Sequence, residues 1–164
     1  MWKRLKKGLK AREILKAFGC FVLAILSVGL FSQYVHFVVS ETDSLPQHYF
    51  IHLPKMKPKK QEYTLVYSPW TQGNIIKQII GVAGDLIAVN AQGEVLVNQK
   101  EAGIPHPFAS DGSVLTPMKA QIIPEGYVFL YSPHPRGFDS RYQELGLVLY
   151  ARLEGWVIPL GLGS

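Results

Sequence analysis

Residues 17 to 40 contain no Asp, Glu, Lys or Arg, and residues 18 to 31 are almost wholly apolar. That length suffices for one transmembrane helix of about 20 residues. Tyr34, His36 and Phe37 fall where its interfacial end is expected. After Pro46 the period changes. Short β-branched and aromatic runs bounded by Gly, Pro, Asn and Ser predict strands over 49–53, 63–67, 74–80, 85–89, 94–98, 127–131 and 146–153. Asn90-Ala91-Gln92-Gly93 reads as a four-residue hairpin loop. Residues 100–121 and 132–141 read as loops, and Trp70 sits in a turn after Ser68-Pro69, either capping the core or dipping into a bilayer surface. No amphipathic helix and no internal repeat follow the anchor. The expected fold class is mostly β: a small antiparallel β domain behind one N-terminal transmembrane helix. Its segments are 1–16, a basic tail, 17–40, the anchor, and 41–164, the β domain.

Charge changes this picture once it is divided along the chain. The net charge is +5, yet seven of the 17 basic residues lie within residues 1–16 (Lys3, Arg4, Lys6, Lys7, Lys10, Arg12, Lys16), against one acid, Glu13. The rest of the chain is close to neutral, which gives no nucleic-acid footprint, and no nucleic-acid partner is expected. Basic residues beside an apolar run read as a topology signal, leaving the N-terminus in the cytoplasm and residues 41–164 across the lipid bilayer. A cleaved signal peptide is the rival reading. The length of the run and the poor small-x-small site at Phe37-Val38-Val39-Ser40 favour an uncleaved anchor. Cys20 is the sole cysteine, so an intramolecular disulfide is excluded. It reads as a small apolar filler in the anchor. Lys55, Lys57, Lys59 and Lys60 form either a solvated loop or a contact for anionic headgroups.

Two residues carry candidate chemistry. Ser44 stands two residues before Pro46, which fixes its own φ and restricts Leu45, so the backbone beside this hydroxyl is stiff. Lys77 lies within Ile75-Ile76-Lys77-Gln78-Ile79-Ile80. Simple alternation points it outward; an apolar wall instead lowers its pKa and makes the amine a general base. A neutral amine beside Ser44 gives a Ser–Lys dyad for acyl transfer. Other chemistries fare worse. His48, His52 and His134 lack a G-x-S-x-G elbow and a metal-ligand partner set, and read as polar surface or interface residues. Gly81-Val82-Ala83-Gly84 lacks the G-K-[ST] ending of a P-loop. No metal and no cofactor are expected.

Thr42-Asp43-Ser44-Leu45-Pro46 resembles the serine box of type I signal peptidases. Lys77-Gln78-Ile79-Ile80-Gly81-Val82-Ala83-Gly84-Asp85 resembles their lysine box. Pro124-Glu125-Gly126-Tyr127-Val128-Phe129-Leu130 and Phe138-Asp139-Ser140-Arg141-Tyr142 resemble their last two shared segments. Four segments in order behind an amino-terminal anchor make the set specific. Within the superfamily, the run from Ser132 to Tyr142 and the short body look most like the conjugal-transfer pilin peptidase TraF. The resemblance implies Ser44 as nucleophile and Lys77 as general base, with the Ser44 N–H and Thr42 hydroxyl as oxyanion hole. Asp139 and Arg141 are implied as a bracing pair, and Asp85 as structural. Three residues depart from the pattern: Gly137, where the family often has a serine that orients the lysine, Gln78 in place of arginine, and His48 in place of glycine.

The implied function is that of a serine endopeptidase in the bacterial inner membrane, its catalytic domain periplasmic. It would remove leaders from exported precursors, pilin of a conjugative or type IV secretion apparatus above all. The alternatives are a housekeeping leader peptidase and a non-catalytic pilus-assembly factor on the same fold.

Overall fold

The computed structural model describes residues 2–40 and 45–161, with the side chains of the first helix described from residue 10 onward. Thr42 and Ser44 lie outside the described residues. The chain divides into two units, Met1–His36 and Phe37–Ser164. The first is a helix, α1 (Trp2–Phe31). Its stretch Lys10–Phe31 is long and apolar enough to cross a membrane, and none of it is buried against protein. Within 17–40 the helix ends at Phe31, and His36–Val39 is a strand, β1.

In the second unit β2 (Tyr49–Leu53), β3 (Tyr63–Ser68) and β4 (Gly73–Val82) follow, then β5 (Leu86–Val89), β6 (Val95–Val97), β7 (Lys100–Gly103) and β8 (Gln121–Ile122). β9 (Tyr127–Tyr131), β10 (Val148–Leu149), a 3-10 turn over Tyr150–Arg152 and β11 (Trp156–Pro159) complete it. A seven-stranded sheet runs β1-β2-β11-β3-β4-β9-β10, and a four-stranded sheet runs β7-β6-β5-β8. The ladders from β2 through β10, and those of the smaller sheet, are antiparallel. Mostly antiparallel β behind one apolar helix is therefore the architecture, as the hydrophobic pattern predicts.

The β5–β6 connection has five residues, 90–94, one more than expected, because Glu94 lies before β6. Asn90 Oδ1 accepts from the N–H of Gln92 and of Glu94, and Gly93 takes a φ of +80° that glycine adopts without strain. Two further stretches differ from expectation. Residues 100–121 contain β7, whose sequence Lys-Glu-Ala-Gly has no strand pattern and is recruited by pairing with β6. The single strand expected over 146–153 is two residues of β10 and a 3-10 turn, and the chain then re-enters the large sheet as β11.

Three apolar clusters hold the unit. Leu45, Phe50, Leu65, Ile76 and Val157 form one. Val66, Ile79, Val128, Leu130 and Val148 form another along the β3–β4–β9 ladders. The third lies at the smaller sheet around Ile87, Val95, Val97, Ile123 and Phe129. β4 passes between these environments through a bulge between Ile79 and Gly81. A Cβ on Gly81 would stand 2.6 Å from Ile123 Cδ1 and 2.9 Å from Phe129 Cβ, so only glycine lets the bulged strand close on the third cluster.

Candidate active site

Lys77 is central in β4, paired with Thr64 of β3, and is only 2% exposed. Of its two sequence readings, the buried one is found. Its neighbours along β4 on the same face are Ile79, in the second cluster, and Ile75, packed against it. Across β3 it faces Thr64, fully buried, whose hydroxyl donates to the Gly155 carbonyl at 2.9 Å. Burial in this apolar wall brings the Lys77 amine down to about 8. The negative charge of Asp139 opposes that fall, and the positive charge of Arg141 adds to it.

Asp139 and Arg141 form an ion pair at 2.8 Å with both side chains essentially buried. The Asp139 carboxylate also accepts from the N–H of Ser132 and of Arg141, each at 2.9 Å. Arg141 donates further to the carbonyls of Ala102, Ser132, His134 and Gly137. One guanidinium thus collects the end of β9, the loop after it and β7. Ion pairing and hydrogen bonding satisfy both charges, the condition under which burying them is tolerable. Ser140, between them, continues the sheet edge: its N–H donates to Leu130 O, and its hydroxyl accepts from the Leu130 N–H. The same loop is braced by a column of rings, Trp70 on Phe138 at 5.7 Å and Phe138 on Tyr142 at 6.1 Å. Trp70 is therefore stacked on the site loop, with part of its ring exposed.

Asp85 closes the turn after β4. It accepts from the Val82 N–H, from Asn98 and from Lys60. Partial burial works to raise its pKa, and these donors outweigh that and hold it below the usual carboxylate value. Lys60 is thereby tied to protein, and Lys57 lies 5.8 Å over the Tyr150 ring, so these lysines pack on the domain. His52, expected as a polar surface or interface residue, is buried, and its Nε2 meets the Glu154 carbonyl. Gln78 donates to Gln61 O. Among the described residues no group of three His, Cys, Asp or Glu is placed to hold a metal.

Leu45, the residue after Ser44, is 2% exposed and shares its cluster with Ile76, the residue before Lys77. Thr64 was not singled out by sequence. Its place opposite Lys77 depends on strand register, which no local pattern reveals.

Residues 11–159 match the model of the family described as signal peptidase, peptidase S26. The chain belongs to that family. Its members are serine endopeptidases that take leader peptides from exported precursors, and α1 is the apolar segment of a membrane-anchored enzyme of this kind. No curated protein matches the chain. Among solved structures, a signal peptidase I from Enterococcus faecalis V583 is similar at 22% identity and a TM-score of 0.40, over 61% of this chain and 96% of that one.

Proposed function

We propose that this signal peptidase cuts its precursors with a Ser44–Lys77 dyad. The observation that carries the reading is the burial of Lys77 in the middle of β4, 2% exposed in an apolar wall, where its amine is kept from solvent. In this reading, the Ser44 hydroxyl attacks the scissile carbonyl while the neutral Lys77 amine takes its proton. The Ser44 N–H and the Thr42 hydroxyl receive the oxyanion; losing one such donor costs about 10²–10³ in rate. Lys77 then returns the proton to the leaving amine, and water resolves the acyl-enzyme. Asp139 and Arg141 brace the loop beside the lysine. An amine at about 8 supports this role, because a useful fraction is neutral near physiological pH.

The substrate proposed is a pilin precursor of a conjugative or type IV secretion apparatus, bound extended across the inner membrane's periplasmic side. Likeness of Ser132-Pro133-His134-Pro135-Arg136-Gly137-Phe138-Asp139-Ser140-Arg141-Tyr142 to the conjugal-transfer branch supports it. The basic residues ahead of the apolar run support a cytoplasmic N-terminus. Co-expression with the pilin precursor, read by intact mass, tests the reading. Wild type is expected to release the leader, and Ser44→Ala and Lys77→Ala to leave the precursor intact while remaining folded. An unchanged precursor mass with wild type, in a stable complex, would favour an assembly factor instead.

A further inference from the structure

Four of the ten basic residues beyond Lys16 fall within six positions, Lys55, Lys57, Lys59 and Lys60, in a part of the chain that is otherwise close to neutral. The loop that carries them is fastened at both ends. The Met56 N–H donates to the Leu53 carbonyl, the Lys59 N–H to the Glu62 carboxylate at 2.7 Å, and the Lys60 ammonium to Asp85 at 2.6 Å. Tyr150, from the 3-10 turn, donates its hydroxyl to the Pro58 carbonyl at 2.6 Å. Pro54 and Pro58 restrict the backbone between these ties.

A cavity of about 230 Å³ lies between this loop and the 3-10 turn with the residues after it. Its lining divides into two chemistries. Pro54, Pro58 and Leu153 are apolar, and Lys55 and Lys57 are its cationic side chains. Lys57 has its ammonium 5.8 Å from the centre of the Tyr150 ring, so it is already placed at the wall. Among the described residues no acid lines the cavity. Met56, between the two lysines, and Leu149, just ahead of the turn, are exposed apolar residues.

The volume narrows the class of ligand. Pockets for drug-sized molecules run to roughly 300–1,000 Å³, so this one takes a fragment such as a phosphodiester with its glycerol. Two ammonium groups match the anion, and the apolar walls match the glycerol. Only residues 32–35 separate α1 from β1 in the chain. A bilayer spanned by α1 therefore presents its phosphates to this domain at high effective concentration.

We propose that this cavity binds the phosphodiester of an anionic phospholipid, with Lys55 and Lys57 as its cationic partners and Pro54, Pro58 and Leu153 against the glycerol. The inference rests on α1 anchoring the protein in a bilayer and is independent of the Ser44–Lys77 dyad.

The test uses the full-length protein in nanodiscs of phosphatidylcholine with increasing phosphatidylglycerol. Each lysine's reactivity toward a water-soluble acylating reagent is read by peptide mass, and melting temperatures establish that each variant is folded. Lys55 and Lys57 are expected to become protected as phosphatidylglycerol increases, whereas exposed Lys119 keeps its reactivity. Lys55→Gln and Lys57→Gln are each expected to raise the half-protecting fraction at the remaining lysine about fivefold, the worth of one lysine near an anionic surface. Ala151→Trp keeps every charge but fills the cavity, and is expected to leave both lysines reactive at all compositions. The glutamine variants alter exposed side chains only, so they decide the matter even where the tryptophan variant unfolds. Inorganic phosphate or glycerol phosphate, added to the protein in uncharged detergent, distinguishes a free phosphate from a lipid. No protection is expected at millimolar concentration, and protection there overturns the assignment to lipid. Reactivity that does not change with phosphatidylglycerol, or protection that survives in folded Ala151→Trp, overturns the inference. Neither readout involves Ser44, so a failure of the dyad leaves these outcomes unaltered.

Discussion

Asp139 and Arg141, two residues apart in sequence, bind each other at 2.8 Å with essentially no exposed surface, and the Asp139 carboxylate also holds the N–H of Ser132. This pair places a compensated charge couple whose two charges both act on the Lys77 amine. Asp139 favours the ammonium and Arg141 opposes it, so the fall to about 8 is set first by burial.

Asp139→Asn separates these contributions. Removing one partner of a buried ion pair costs about 3–5 kcal/mol, because the other charge is left uncompensated. Thermal or denaturant unfolding is expected to register that loss. Where the variant stays folded, Lys77 loses the charge that favours its protonation, so the alkaline rise in acylation rate moves to lower pH. A rise that moves to higher pH contradicts this electrostatic assignment.

Lys77→Met is expected to stabilise the domain at neutral pH. The amine stands at about 8 in the folded chain against an ordinary 10.5, so between those values the unfolded state binds more protons and stability increases with pH. Below about 8 the full penalty of a buried ammonium is present, roughly 3 kcal/mol for a shift of this size. It disappears as pH climbs through 10.5. The melting temperature of the methionine variant is expected to exceed wild type at neutral pH and to converge on it in alkali. A gain independent of pH excludes relief of charge burial as its cause.

Gly81→Ala tests the bulge in β4. The added Cβ meets Ile123 Cδ1 at 2.6 Å and Phe129 Cβ at 2.9 Å, and overpacking of this kind costs about 1–3 kcal/mol. The expected outcome is a lower denaturation midpoint with unchanged slope. A variant as stable as wild type shows that the third cluster yields more readily than its contacts indicate.

Strands with strong patterns were legible: β2 coincides with its expected limits, and β3, β4 and β9 lie where β-branched and aromatic runs put them. β7 and β11 were not. Lys100 to Gly103 is a strand only because β6 offers it a partner, and Trp156–Pro159 carries a proline that local rules read as a breaker. Lys77 showed the limit at the site. Alternation in Ile75-Ile76-Lys77-Gln78-Ile79-Ile80 points the lysine outward, and it is buried instead because the sheet is covered on both faces there: Ile76 and Lys77 are both buried. The Asp139–Arg141 pairing was implied by family resemblance, whereas its grip on β7 through Ala102 O arises from a contact across 39 residues. Within the serine box, Thr42 to Ser44 lie outside the described residues.

The most direct test is acylation of Ser44 by a serine-directed reagent, mapped by peptide mass and followed as a function of pH in wild type and Lys77→Ala. The expected result is labelling at Ser44 alone, with a rate that rises through a midpoint near 8 and is lost in the folded alanine variant. Labelling at another serine, or an alanine variant that labels as fast as wild type, contradicts a Ser44–Lys77 dyad.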